Sequence, residues 1–242
     1  MMRLDRFLCE IHTGSRSQVK DWIKKGLVQV DGQIVKKPDC KVDESKNQIT
    51  LMGQPLFYQK NVYYVINKPA GVVTSTNDPV SPTVMDLMRE VFVSGKLLFP
   101  VGRLDKDAEG FLLITNDGEL AHRLLAPANH VPKTYLLRLR DPFTDKQEDM
   151  LRAGVDIGEK RPCGPAEAER LSERTIRLTI REGKFHQVKR MLKAVGNEVL
   201  SLKRVGFASL WLDEGLDGGE YRSLTEEEIS TLKKDAGYDV EE

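Results

Sequence analysis

Three cysteines, two tryptophans and four histidines in 242 residues leave little with which to build a disulfide framework or a metal centre. Cys9, Cys40 and Cys163 are scattered and odd in number, which argues against paired cystines. The histidines show no ligand spacing, so no metal is expected. No apolar run approaches the length of a membrane span, and the opening "MMRLDRFLCE" has no apolar signal core. A cytoplasmic protein without a membrane segment is the expectation.

The chain also lacks net charge, with 37 basic and 37 acidic residues, but the balance is uneven along its length. Residues 1–60 hold 11 Lys/Arg against 7 Asp/Glu, and residues 61–212 hold 23 against 19. From residue 213 the count is 3 against 11. A basic body with an acidic end suits a protein that binds a polyanion, and suits ordinary surface scatter equally well. Motifs have to decide.

The first unit is short and basic. "SRSQVKDWIKKG" (15–26) predicts a helix that opens on a capping Ser15 and stops at Gly26, with Val19, Trp22 and Ile23 as its apolar stripe. "LVQVDGQIV" (27–35) predicts a hairpin turning at Asp31-Gly32, "ITL" (49–51) a short strand, and residues 52–61 a linker. A larger unit follows. Strands are expected in "VYYVINK", "FLLIT" (111–115), "TYLLRLR" (134–140), "RTIRLTIRE" (174–182), "NEVLSLKRV" and "ASLWL". Helices are expected over 81–92, 119–125 and 185–196, the first with a Thr83/Asp86 capping pair. Strands and helices mix without βαβ alternation, which gives an α+β class with a mixed, largely antiparallel sheet. The boundaries read as 1–58 for the small unit, 62–230 for the large one and 231–242 for an acidic tail.

In the large unit "GRLDKDAEGFLLITNDGE" (102–119) sets Asp105 between Arg103 and Lys106, just before a buried strand. Neighbouring cations favour an ionised carboxylate, and a sheltered carboxylate serves as a nucleophile or a base. A loop salt bridge explains the same residues. Tyr135 likewise reads either as a sheet-core aromatic or as a ring presented to a ligand.

The small unit, through "RLDRFL", "SRSQVKDWIKKG" and "VDGQIVKKP", resembles the S4 RNA-binding domain of ribosomal small-subunit protein four over residues 2–53. That resemblance makes Arg3, Arg6, Arg16, Lys20 and Lys24 candidate RNA contacts. "NKPAGVVTS", "GRLDKDAEGFLLITNDG", "PKTYLL" and "EGKFHQVKRML" fall in the order and spacing of pseudouridine synthases, and resemble the RsuA-type branch that acts on ribosomal RNA. This chain has Ala108 where the family motif usually has Thr, so no hydroxyl is available there.

The resemblance implies isomerisation of one uridine to pseudouridine without a cofactor. Asp105 is then the essential carboxylate, attacking C1′ or removing the C2′ proton. Tyr135 packs on the uracil, and Lys189 or Arg190 holds Asp105 ionised. Arg103, Lys68, Gly71, His186, Gln187 and Arg190 become candidate substrate-binding residues. His186 is assigned to backbone or RNA contact rather than proton transfer. The implied partner is ribosomal RNA, most closely that of the small subunit, free or in an assembly intermediate, met by a monomer. A large-subunit target and a non-catalytic assembly factor are the competing readings. Five cations each neutralising one phosphate predict a slope of about −3.5 for log affinity against log salt on single-stranded RNA. A filter-binding titration measures it, and a slope shallower than about −1 would remove these five residues from the RNA interface.

Overall fold

The computed structural model describes residues 1–11, 14–56, 61–89 and 98–238. Two units divide them, the first over Met1–Val62 and the second over Tyr63–Leu87 and from residue 98 onward.

In the first unit β1 (Met2–Arg3) runs into α1 (Leu4–Glu10), followed by α2 (Arg16–Lys24). Ser15 caps α2 as expected. Its Oγ accepts the Gln18 N–H at 3.4 Å while Gln18 Oε1 accepts the Ser15 N–H at 2.9 Å. Val19 and Ile23 are fully buried beside Leu4 and Leu8 of α1. The hairpin joins β2 (Val28–Val30) to β3 (Gln33–Ile34), with Asp31 and Gly32 both at positive φ, the geometry its twist requires. β4 (Lys41–Val42) pairs with β1, and β5 (Ile49–Leu51) with β2. The expected linker begins later than the sequence suggests, because Gln54–Leu56 forms β6 against β5. Residues 57–60 lie outside the described residues.

The second unit is built on one sheet. Its strands are β7 (Tyr63–Lys68), β8 (Phe99–Pro100), β9 (Glu109–Thr115), β10 (Lys133–Leu139), β11 (Glu167–Arg170), β12 (Thr175–Ile180), β13 (Val199–Phe207), β14 (Leu210–Trp211) and β15 (Tyr221–Ser223). The spatial order is β11-β12-β10-β13-β9-β7-β15, with β8 on β9 and β14 on β13. Only β9 and β13 run parallel, so the sheet is mixed and largely antiparallel and the class is α+β. The helices are α3 (Gly118–Leu125), α4 (Asp145–Ala153), α5 (Gln187–Ala194) and α6 (Glu226–Asp235).

Two expectations change here. Of the helix expected over 81–92, the described residues show a 3₁₀ turn at Asp86–Met88 and a helical Arg89. Thr83 and Asp86 do pair, Thr83 N–H donating to Asp86 Oδ2 at 2.8 Å. The backbone before them is already committed, since Val73 N–H bonds Pro82 O and Val84 N–H bonds Val73 O, both at 3.0 Å. Val91 and Phe92 lie outside the described residues. The acidic tail is also no tail as far as Tyr238. α6 and its C-cap bury Leu232 and Ala236 in the same core as Phe111 and Phe207, and Glu226, Glu227 and Glu228 occupy the first turn, where the helix dipole favours them.

Register fixes the arrangement that matters for chemistry. Lys68 on β7 pairs with Gly110 on β9, Gly110 with Arg204 on β13, and Arg204 with Tyr135 on β10. Residues directly opposite one another share a face of the sheet, so these four form one transverse row. Gly110 is required there. Its φ is +104°, and a Cβ would lie 2.2 Å from the Arg204 carbonyl oxygen. Gly110→Ala should therefore cost at least ~2 kcal/mol, read as a fall in the urea midpoint at constant slope. An unchanged midpoint would mean that β9 and β13 separate there without penalty.

Candidate active site

Asp105 sits in the loop that leads into β9, and that loop is fixed from beneath. Lys68, fully buried, donates from Nζ to the carbonyls of Ala108 (2.6 Å), Pro69 (3.0 Å) and Lys106 (3.3 Å). Gly71, at positive φ, gives its N–H to Lys106 O at 2.8 Å. Thr74 Oγ1 donates to Leu104 O at 2.9 Å and receives the Leu104 N–H at 3.1 Å. Ala108 N–H closes the turn on Asp105 O at 3.1 Å. Lys68 and Gly71 shape the loop that carries the carboxylate.

The cation on Asp105 comes from far along the chain. Lys189 Nζ lies 3.1 Å from Asp105 Oδ2, and His186 Nε2 lies 3.4 Å from Oδ1. The same ammonium donates to both oxygens of exposed Asp107, at 2.6 and 2.8 Å. Burial pulls the Lys189 pKa down, but its bonds to Asp107 and Asp105 outweigh that and hold it above the ordinary lysine value. The Lys189 hydrogen bond keeps Asp107 below the usual carboxylate range. Of the two cations expected to serve Asp105, the geometry selects Lys189. Arg190 turns away to Glu159 Oε1 (2.7 Å), Ile157 O (2.6 Å) and Phe185 O (3.0 Å). The sequence neighbours of Asp105 do not serve it either: Lys106 donates to Ser81 Oγ at 3.0 Å, and Arg103 is exposed.

Gln187 is a second reassignment. It is buried, its Nε2 donates to Glu182 Oε1 at 2.7 Å, and its Oε1 accepts the Lys184 N–H at 2.8 Å. It braces the turn ahead of α5 and is not open to substrate. His186 ends that turn in a left-handed conformation, φ +48°, which costs a non-glycine residue about 1 kcal/mol. The strain directs its ring at Asp105, not at a backbone cap.

Tyr135 reaches the site from β10 and is almost wholly buried. Burial raises its phenol pKa, the Arg204 cation beside it works in the opposite direction, and the Asp105 carboxylate adds to the rise. The phenol is therefore neutral at physiological pH. Arg204 is the residue that sequence reading missed. It is 2% exposed, donates from Nε to Phe111 O at 2.7 Å, and has Nη2 without a hydrogen-bond partner. Desolvation lowers its pKa, partly offset by Tyr135. Strand alternation carried the signal, since Arg204 shares a face with the buried Leu202 and Gly206.

In the first unit Arg3 pairs with Asp5 through Nε (3.0 Å) and Nη2 (2.7 Å), and Arg6 with Glu10 at 2.6 Å. Arg16, Lys20 and Lys24 are exposed. A concavity of about 870 Å³ is lined by Arg3, Arg6, Arg16 and Lys20 together with Asp5 and Glu10. Lys24 lies outside it.

Two family models match the chain, an S4 domain over residues 2–47 and an RNA pseudouridylate synthase over residues 62–194. The chain is similar to a protein of Bacillus subtilis named as an uncharacterized RNA pseudouridine synthase, 46% identical across 96% of this chain and 99% of the relative. It is similar also to ribosomal small subunit pseudouridine synthase A of Escherichia coli, 41% identical across 96% of this chain and all of the relative. A crystal structure of a pseudouridylate synthase superposes with a TM-score of 0.68 at 38% identity, covering 96% of this chain and all of that one.

The buried Lys68 makes stability depend on pH. Desolvation brings its pKa down from 10.5 to about 8. Between those values the unfolded chain holds more protons on this amine than the folded one, so its contribution to stability rises with pH. Lys68→Met leaves three carbonyls without their donor, a loss of about 1–3 kcal/mol near neutrality. It also lacks the alkaline gain, so its gap from the wild type should widen from pH 8 to 10.5 in urea titrations. A gap that narrows would mean that the amine stays charged in the fold.

Proposed function

Since the chain belongs to the RNA pseudouridylate synthase family, we propose that it converts one uridine of small-subunit ribosomal RNA to pseudouridine, with Asp105 as the essential carboxylate. The observation that carries the assignment of Asp105 is its position between Lys189 and His186, on a loop whose backbone is gripped by a buried lysine. A protein that only bound RNA would have no use for a carboxylate held this way.

In the reaction the N1–C1′ bond breaks, the freed uracil turns, and a C5–C1′ bond forms as the C5 proton leaves and N1 takes up a proton, so that the product is an isomer of the substrate. Asp105 either attacks C1′, and is displaced when C5 bonds there, or takes the C2′ proton and later returns it. Both routes start from an ionised carboxylate, and the Lys189 ammonium stabilises that charge through a charge-assisted contact. Tyr135 offers its ring to the uracil, which has lost its stacking partners on leaving the helix. Its neutral hydroxyl, with Arg204 alongside, is the group placed to pass on the C5 proton. No step calls for a cofactor or a metal.

The S4 unit adds affinity for the RNA backbone through Arg16, Lys20 and Lys24, with Arg3 and Arg6 exchanging their intramolecular carboxylates for phosphates. Arg103, exposed beside the loop, adds to the same contact. The enzyme works as a cytoplasmic monomer on ribosomal RNA or on a small-subunit assembly intermediate. The resemblance at the FHQVKRM segment and the name carried by the Escherichia coli relative support the small-subunit target.

Pseudouridine mapping by chemical labelling and primer extension, on protein-free ribosomal RNA and on partly assembled small subunits, tests this directly. One new stop is expected with the wild type. Asp105→Asn should form product at least ~1,000-fold more slowly, the scale of losing an essential nucleophile or base, while binding the RNA within about threefold. A normal rate in that variant would overturn the assignment of Asp105.

A further inference from the structure

Phe185 is the exposed phenylalanine among the described residues, with 75% of its surface open to solvent. Apolar rings left in water on a loose loop are common enough to need no explanation, but this one is held. Arg190 Nη1 donates to its carbonyl at 3.0 Å, and Arg190 is itself tied to Glu159 and Ile157. The preceding residue, Lys184, gives its backbone N–H to buried Gln187 and reaches the carbonyls of Arg161 (2.9 Å) and Pro162 (2.8 Å) with its ammonium. The following residue, His186, sits in a strained left-handed conformation.

The ring is placed as deliberately as the backbone. Phe185 and His186 are stacked, centroids 3.8 Å apart with 17° between planes, and His186 Nε2 touches Asp105. The imidazole thus meets Asp105 at Nε2 and the phenyl across its ring face, and the phenyl is open to solvent. One face of the phenyl is covered by the imidazole and the other is free. A nucleobase is the partner this layering fits, because every base has a π face and stacked rings repeat at the spacing already set by the His186–Phe185 pair. The base on Phe185 is not the reacting one, which must meet Asp105 itself.

We propose that Phe185, backed by His186, is a stacking platform for a nucleotide next to the target uridine, held unpaired while that uridine occupies the site. The inference rests on the proposed function for the identity of the RNA, and on the Phe185–His186–Asp105 geometry for the platform. Aromatic–base stacking contributes about 1–3 kcal/mol per base, which converts to roughly a five- to hundred-fold effect on binding.

Phe185→Leu keeps an apolar side chain without a π face, whereas Phe185→Trp keeps the face. Single-turnover kinetics on protein-free small-subunit ribosomal RNA should show the half-saturating enzyme concentration for Phe185→Leu raised about five- to hundred-fold. Phe185→Trp should stay within about threefold of wild type. The slope of log affinity against log salt should be the same for all three, because stacking releases no counterions. A parallel titration with a uridine-containing single-stranded oligonucleotide, read by fluorescence anisotropy, reports binding without turnover. Leu and Trp variants both matching wild type would overturn the platform. Both failing alike, with intact circular dichroism, would overturn it too, since the ring would then matter for shape alone. If the wild type forms no pseudouridine, the proposed function fails, and the anisotropy series still decides the platform by the same Leu-against-Trp contrast.

Discussion

The site depends on a parallel pairing only two residues long, Glu109 with Lys203 and Gly110 with Arg204. It is the one place where the β7–β9 side of the sheet, which supplies Lys68 and the Asp105 loop, meets the β10–β12 side, which supplies Tyr135. A contact this short has little hydrogen bonding of its own. Its strength comes from closeness, because a residue without a Cβ lets the two backbones approach and lets the Arg204 guanidinium reach across to Phe111 O. Two cations, Lys68 and Arg204, are thereby buried in a single row, each desolvated at a cost that its carbonyl partners offset only in part. The row is an unfavourable place for charge, maintained because both ends of the active site are attached to it.

Distance along the chain is a poor guide to which charges act on Asp105. Arg103 and Lys106, two positions before it and one after, form no ion pair with it among the described residues: Lys106 reaches Ser81 and Arg103 is exposed. Lys189 and His186, from the start of α5, complete the site instead. Asp107 then shares Lys189 with Asp105, so the ammonium is held by two carboxylates, one sheltered and one open to water.

What could be read from the chain alone divides by the kind of force involved. α2, the hairpin at Asp31-Gly32 and six of the nine strands of the large sheet announce themselves through capping residues, positive-φ turns and apolar alternation, all local signals; β8, β11 and β15 do not. α1 and α4 escaped notice although Thr144 and Gln147 make a full capping box for α4. Their apolar stripes are thin, and both owe their stability to what they pack against. In the segment 81–92 a bridge between Val73 and Thr83 holds the first residues extended, and the first helical turn begins at Asp86. In the site, motif resemblance pointed to Asp105, Tyr135 and Lys189, of which Asp105 and Lys189 lie 3.1 Å apart. A motif carries no information on burial, so it did not show that Lys68 and Gln187 are buried or that Arg190 turns to Glu159. Arg204 belongs to none of the motifs and shows only as a charge in phase with the buried face of β13.

The grip on the Asp105 loop is made almost entirely through main-chain atoms: Lys68 holds the carbonyls of Lys106 and Ala108, Gly71 N–H shares the Lys106 carbonyl, and Thr74 holds both backbone groups of Leu104. The side chains at 106 and 107 make contacts of a different kind, Lys106 to Ser81 and Asp107 to Lys189. Placement of the backbone and display of charge are thus carried by different atoms of the loop. Position 108 is constrained by volume alone, being 1% exposed. The loop separates two evolutionary variables, the placement of the reacting group and the charge displayed around it, and the second can drift or be selected without disturbing the first.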